Sequence, residues 1–194
     1  MLEDKERAIV SEVLAGDGVV AFVTDTVWGI GCRPESERAV KRIYEIKHRD
    51  GNKPLILMSY DCYPLLKYVK PLCKKAHELM KTHFPGALTL VVEKSGLTPD
   101  YLTSGFSTVG VRVPDNEVFG DICRCVEGGV LATTSANISA CPAALSYEEA
   151  VRYIGNRVDY VVSDYGLSAK GTASTVVGVS DEGIKIFRQG DIVV

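Results

Sequence analysis

Apolar residues recur at helical spacing over residues 4–15, where Ala8, Ile9, Val13 and Leu14 form a stripe, and Gly16-Asp17-Gly18 supplies a stop. Val19 to Val23 is an uninterrupted apolar run rich in β-branched residues, which predicts a buried strand. It delivers Thr24, Asp25 and Thr26 to a loop that Gly29 and Gly31 are expected to keep flexible. Over 36–47 the period is helical again, with Ala39, Val40, Ile43, Tyr44 and Ile46 facing inward, and this helix should end near Lys47 to Arg49. Further runs predict strands at 55–58, 88–92, 108–113, 130–133, 158–162, 174–179 and 184–187. Helices are expected at 62–68, 72–82, 116–127 and 146–153.

This is an α/β mixture without the regular strand–helix alternation of a Rossmann or TIM fold. No repeat, low-complexity segment or linker divides the 194 residues, so one domain over 1–194 is expected, long enough to bury a substantial core. A charged start, Met1-Leu2-Glu3-Asp4-Lys5-Glu6-Arg7, and the lack of any apolar run of membrane-spanning length predict a cytoplasmic protein with no membrane association.

Charge changes the picture more than composition does. The net charge of −3 conceals a balance of +7 over residues 38–94 and −10 elsewhere. A basic region of this kind either faces phosphates, ATP or RNA, or is ordinary helix surface, which is the reading favoured for Lys67, Lys70, Lys74, Lys75 and Lys81. The six cysteines include one close pair, Cys123 and Cys125, and the three histidines form no ligand pattern. Free thiols and no protein metal site are expected.

Two short motifs carry candidate chemistry: Lys47-His48-Arg49 and Ser135-Ala136-Asn137. In an extended backbone, residues two apart project from one face, so each motif can aim two groups into a cleft. Lys and Arg suit phosphates, while Ser and Asn orient a substrate without adding charge. Each pair has a bland alternative, a solvated helix face for the first and a turn or cap for the second. No phosphate loop, dinucleotide fingerprint or serine-hydrolase elbow is present, so a nucleotide site would have to be assembled from separated side chains.

Around these pairs lie Val23-Thr24-Asp25-Thr26-Val27-Trp28-Gly29-Ile30, Lys53-Pro54-Leu55, Phe84-Pro85-Gly86-Ala87-Leu88-Thr89-Leu90, Thr108-Val109-Gly110-Val111-Arg112-Val113-Pro114, Thr133-Thr134-Ser135-Ala136-Asn137-Ile138-Ser139, Ser174-Thr175-Val176-Val177 and Phe187-Arg188-Gln189-Gly190. From about residue 17 to residue 190, this order resembles the YrdC/TsaC family, the threonylcarbamoyl-AMP synthases, in their short single-domain form. The resemblance implies a YrdC-like fold: a twisted mixed β-sheet with surrounding helices and a deep nucleotide and substrate cleft. It also implies a nucleotidyltransferase that joins L-threonine, bicarbonate and ATP into threonylcarbamoyl-AMP and pyrophosphate, for threonylcarbamoyladenosine modification of tRNA. On this resemblance Lys47, Arg49, Ser135 and Asn137 are catalytic, and Thr26, Arg112 and Ser174 bind threonine. Arg49, Lys53, Thr108, Thr134, Ser135 and Arg188 bind the nucleotide. Mg2+ would arrive with ATP, and a downstream threonylcarbamoyltransferase would take the product. Pro85-Gly86 is read as architectural, a turn into the 87–92 strand.

The pattern departs from the family at Val23, Trp28, Ala140 and Gln189, in place of proline, tyrosine, glycine and proline. Trp28 keeps a polar N–H but leaves the shape of its wall open. For Arg112, inside an apolar strand, a purely structural ion pair is the rival assignment. Two other functions stay in view: an RNA-binding module on the same fold, with weak RNA binding through the basic region, and a carbamoyl-transfer paralogue.

Overall fold

In a computed structural model, residues 1–48, 53–139 and 141–194 are described. Asp4–Ala15 forms helix α1, which buries Glu6, Val10 and Leu14. The inward face is therefore rotated from the predicted stripe, and Ala8 is exposed. Glu6 causes the rotation. Its carboxylate accepts hydrogen bonds from the Tyr160 hydroxyl, the Ser163 N–H and hydroxyl, and the Tyr165 hydroxyl, so a charged residue anchors the buried face.

Val20–Phe22 is β1 and Gly29–Cys32 is β2, a strand where a flexible glycine loop was expected. β2 pairs antiparallel with β1, and each of its four residues is buried. Its glycines make room rather than confer freedom: a Cβ on Gly29 would lie 2.8 Å from the Phe22 ring, and one on Gly31 3.0 Å from the Thr133 side chain. Helix α2, Glu37–Ile46, is capped by the Ser36 hydroxyl, which accepts from the Ala39 N–H, and buries Ala39, Val40, Ile43 and Ile46. It ends because Lys47 closes the last turn and His48 takes a left-handed φ of 47°.

Ile56–Ser59 is β3, followed by a 3-10 turn at Tyr63–Tyr68 where a helix was expected. Helix α3, Lys74–His83, leads to β4, Leu88–Glu93. The short α4, Asp100–Thr103, was not anticipated. Then come β5 (Thr108–Arg112), α5 (Glu117–Arg124), β6 (Val130–Ser135), α6 (Tyr147–Ile154), β7 (Tyr160–Val161), β8 (Thr175–Ser180) and β9 (Gly183–Arg188).

The nine strands form one mixed sheet in the order β7-β1-β2-β6-β3-β5-β4-β8-β9. β1–β7, β3–β5 and β4–β8 are parallel pairs, and the other five are antiparallel. This crossing order, which no local period specifies, brings Thr133 opposite Ile56, Ser135 opposite Gly29 and Arg112 opposite Met58. Among the described residues, no helix is long and apolar enough to cross a membrane.

Candidate active site

Seven neighbouring strands, from β2 through β9 in sheet order, contribute to an open cavity of about 440 Å³. Ile56 and Met58 line it from β3, two residues apart, as do Thr133 and Ser135 from β6, so it lies on one face of the sheet. Of the residues predicted to carry the site, Thr26, Lys47, Lys53, Arg112, Thr134, Ser135, Asn137, Ser174 and Arg188 line this cavity. Thr108 does not; it starts β5 and pairs with Glu93. Arg49 lies outside the described residues, as does Ala140.

Lys47 meets Ser135 and Asn137 across 88 to 90 residues of sequence. Its Nζ donates to the Ser135 carbonyl at 2.6 Å, the Asn137 Oδ1 at 2.6 Å and the Ser135 Oγ at 3.3 Å. The Ser135 hydroxyl donates to the same Oδ1, and the Asn137 Nδ2 donates to the Cys141 carbonyl. The loop after β6 is pinned to the end of α2 by the Ser139 N–H on the Lys47 carbonyl. Lys47 is 3% exposed, so the bland alternative, a solvated helix face, does not hold for this residue. Nor is the motif extended here: Lys47 is αR and His48 left-handed, and the ammonium reaches the site along the side chain.

Arg112 anchors a second cluster. Its Nε donates to the Gly86 carbonyl, Nη1 to the Thr26 Oγ1 at 2.9 Å and Nη2 to the Asp25 carboxylate at 2.5 Å. Both charged side chains are buried, at 4% and 8% exposure. Burial pulls the guanidinium below arginine's usual pKa; Asp25 pushes it back up and Arg188 adds to the drop. Arg112 is thus ion-paired on one side and lines the cavity on the other. Ser174 Oγ shares a 2.8 Å hydrogen bond with Thr89 and accepts from Arg188 Nη2, whose Nε holds the Ser174 carbonyl.

Sequence reasoning gave no chemical role to Asp25, Gly86 or Thr89. Their signal was faint: Asp25 stands between two threonines in a quoted motif, and Gly86 acts through its carbonyl, which every residue has. Trp28 is fully buried, packs edge-on against Tyr147 with ring centroids 6.0 Å apart, and has no hydrogen-bond partner for Nε1 among the described residues. The cavity lining holds four cations, Lys47, Lys53, Arg112 and Arg188, and among the described residues no carboxylate. No group of three or more potential metal ligands occurs among the described residues. In the basic region, Lys41, Lys67, Lys70, Lys74 and Lys94 each pair with a carboxylate, which favours the solvated-surface reading of that charge.

The cavity offers a cation with neutral hydrogen-bonders at Lys47, Ser135 and Asn137, a shielded arginine bonded to the Thr26 hydroxyl, a second arginine bonded to Ser174, and apolar walls from Val27, Trp28, Ile56, Met58 and Val176. The chain is 38% identical over 145 residues, covering 75% of each chain, to the threonylcarbamoyl-AMP synthase of Halorhodospira halophila. It is 35% identical to that of Bacillus subtilis over 97% of this chain and 54% of that one. A crystal structure of P. abyssi Sua5 complexed with L-threonine superposes with a TM-score of 0.91 at 31% identity, covering 98% of this chain and 55% of that one. The chain therefore spans about half the length of its longer relatives. The Sua5/YciO/YrdC family, described as telomere recombination, matches residues 12–190, and the chain belongs to it.

Proposed function

We propose that the chain is an L-threonylcarbamoyladenylate synthase, which consumes L-threonine, bicarbonate and ATP and releases pyrophosphate. The observation that carries this reading is that the Lys47, Ser135 and Asn137 cluster lines one cavity together with Arg112, Thr26 and Ser174. Synthases named for this product among its relatives, and a related structure that holds L-threonine, support it.

The chemistry follows from the residues. Threonine's free amine takes up CO2 drawn from bicarbonate and loses a proton, giving a carbamate. A carbamate oxygen then attacks the α-phosphorus of ATP, and the α–β bridging oxygen leaves with pyrophosphate. Two anions must be held in line while charge develops on phosphate oxygens, which is a positioning and electrostatic task. Lys47 supplies a point charge at a fixed place, because its ammonium is already held by Ser135 and Asn137. Lys53, exposed at the rim, and Arg188 add charge along the triphosphate. Arg112 retains two N–H groups beyond those bound to Gly86, Thr26 and Asp25, enough to fork onto the amino-acid carboxylate. A divalent cation would be carried in by the triphosphate. The product would pass to a downstream transferase that modifies tRNA. Incubation with ATP, bicarbonate and L-threonine should release pyrophosphate only when all three are present; release without threonine would refute this reading.

A further inference from the structure

Thr24 lines the cavity beside Thr26, 3% exposed, and three hydrogen bonds meet at its hydroxyl. A hydroxyl has one hydrogen and two acceptor lone pairs. The Thr24 hydrogen goes to the Val27 carbonyl at 2.7 Å, an atom that can only accept. The Thr26 N–H donates to Thr24 Oγ1 at 3.2 Å and takes one lone pair. In the remaining 3.0 Å contact, between the two threonine hydroxyls, Thr26 must be the donor. That fixes the polarity of Thr26. Its hydrogen points at Thr24, Arg112 Nη1 occupies one lone pair at 2.9 Å, and the other lone pair is what it can offer a ligand. Thr26 therefore accepts and does not donate.

The polarity is opposite on the neighbouring strands. Thr89 and Ser174 also line the cavity and share a 2.8 Å hydrogen bond in which either can be the donor. Arg188 Nη2 donates to Ser174 Oγ as well. Of the pair's two hydrogens one lies between them, and among the described residues the second has no acceptor. The register of β4 on β5, with Leu90 opposite Val111, puts Thr89 beside Arg112. An acceptor held by Arg112, with a donor beside it, suits a group that both donates and accepts. An alcohol does both; a methyl, an ether or a halide does not.

We propose that Thr24 is a positioning residue for substrate selection, which holds the Thr26 hydrogen so that Thr26 accepts the side-chain O–H of threonine. This rests on the synthase reading and deepens it, since it gives the means by which a hydroxyl is told from another group of its size.

The experiment is calorimetric titration of the full chain with L-threonine and with the analogue in which fluorine replaces the hydroxyl at the same configuration. Fluorine keeps the shape and accepts weakly but cannot donate. Wild type should bind threonine about 10-fold or more tightly than the analogue, the loss of one hydrogen bond with two acceptors left facing each other. Thr24→Val keeps the side chain's shape and removes its hydroxyl, which frees the Thr26 hydrogen to turn toward the ligand. The preference should then fall to about 3-fold or less, with the analogue gaining relative to threonine. Thr24→Ser should keep the wild-type ratio. A purely structural loss would weaken both ligands together and leave the ratio unmoved. The Thr89–Ser174 hydrogen faces both ligands in every variant and so cancels. Equal ratios in folded Thr24→Val and wild type would overturn the proposal and leave the synthase reading standing. So would a wild type that binds both ligands alike, as it would if Thr26 accepted from the amine instead. Where Thr24→Val does not fold, Thr24→Ala reads the same ratio. No binding of threonine by wild type, with or without ATP, would overturn the synthase reading and this inference with it.

Discussion

Replacing Asn137 by aspartate puts the proposed phosphate end under a charge test whose size follows from the geometry. Asn137 Oδ1 accepts from Lys47 Nζ at 2.6 Å and from the Ser135 hydroxyl at 2.6 Å, while Nδ2 donates to the Cys141 carbonyl at 2.6 Å. In Asn137→Asp the first oxygen keeps both donors and turns the Lys47 contact into an ion pair. The second faces a carbonyl with no hydrogen to share. A phosphate about 5 Å from the new carboxylate loses roughly 3 kcal/mol at an effective dielectric of about 20, or about 100-fold in affinity. Asn137→Ala removes one acceptor and adds no charge, a loss of about 1 kcal/mol or roughly 5-fold. ATP affinity measured by calorimetry at low salt should therefore fall in the order wild type, Ala, Asp. The gap between Ala and Asp should narrow as salt rises. Equal ATP affinity for the two variants would refute a phosphate-facing Lys47–Asn137 pair.

Lys47→Met should lower melting temperature as well as pyrophosphate release, because the charged hydrogen bonds to the Ser135 carbonyl and the Asn137 amide oxygen are lost, at about 1–2 kcal/mol in all, since each oxygen keeps a second donor in the Asn137 N–H or the Ser135 hydroxyl; an inactive variant of unchanged stability would contradict the buried placement. Glu6 should make the fold acid-sensitive. Burial raises its pKa, but the hydrogen bonds from Tyr165, Ser163 and Tyr160 outweigh this and leave it below the usual carboxylate value. Its contribution is then complete above the unfolded pKa of about 4.3 and lost as pH falls through the lower folded value. Glu6→Gln should be less stable than wild type at pH 7 by about 1–2 kcal/mol, with the difference shrinking toward pH 3, and a constant difference across that range would count against it. In pyrophosphate release with different amino acids, serine should be about 10-fold poorer than threonine, and valine and 2-aminobutyrate poorer still, since they lack the hydroxyl that the cavity-lining Thr26 and Ser174 can bind. Valine matching threonine would remove hydroxyl recognition from the account.

Local patterning was enough for most elements of this fold. The stripe of α2 and the apolar runs of β3, β4 and β5 appear where the sequence places them, because period and β-branching are properties of neighbouring residues. It misled where a residue's role depends on something distant in the chain. Gly29 and Gly31 look like flexibility and prove to be clearance for the Phe22 and Thr133 side chains in a central strand. Glu6 looks like solvent-facing charge and is buried because Tyr160, Ser163 and Tyr165 arrive from more than 150 residues away. The site divides in the same way. Its residue types were legible in the order of the motifs, since phosphates call for cations and orientation calls for neutral hydrogen-bonders. Only the strand order, with β6 seated between β2 and β3, sets Ser135 and Asn137 on the Lys47 ammonium. Asp25 behind Arg112 was beyond any sequence pattern. A buried ion pair is chosen by which two side chains the sheet brings within reach, and that distance exists only in three dimensions.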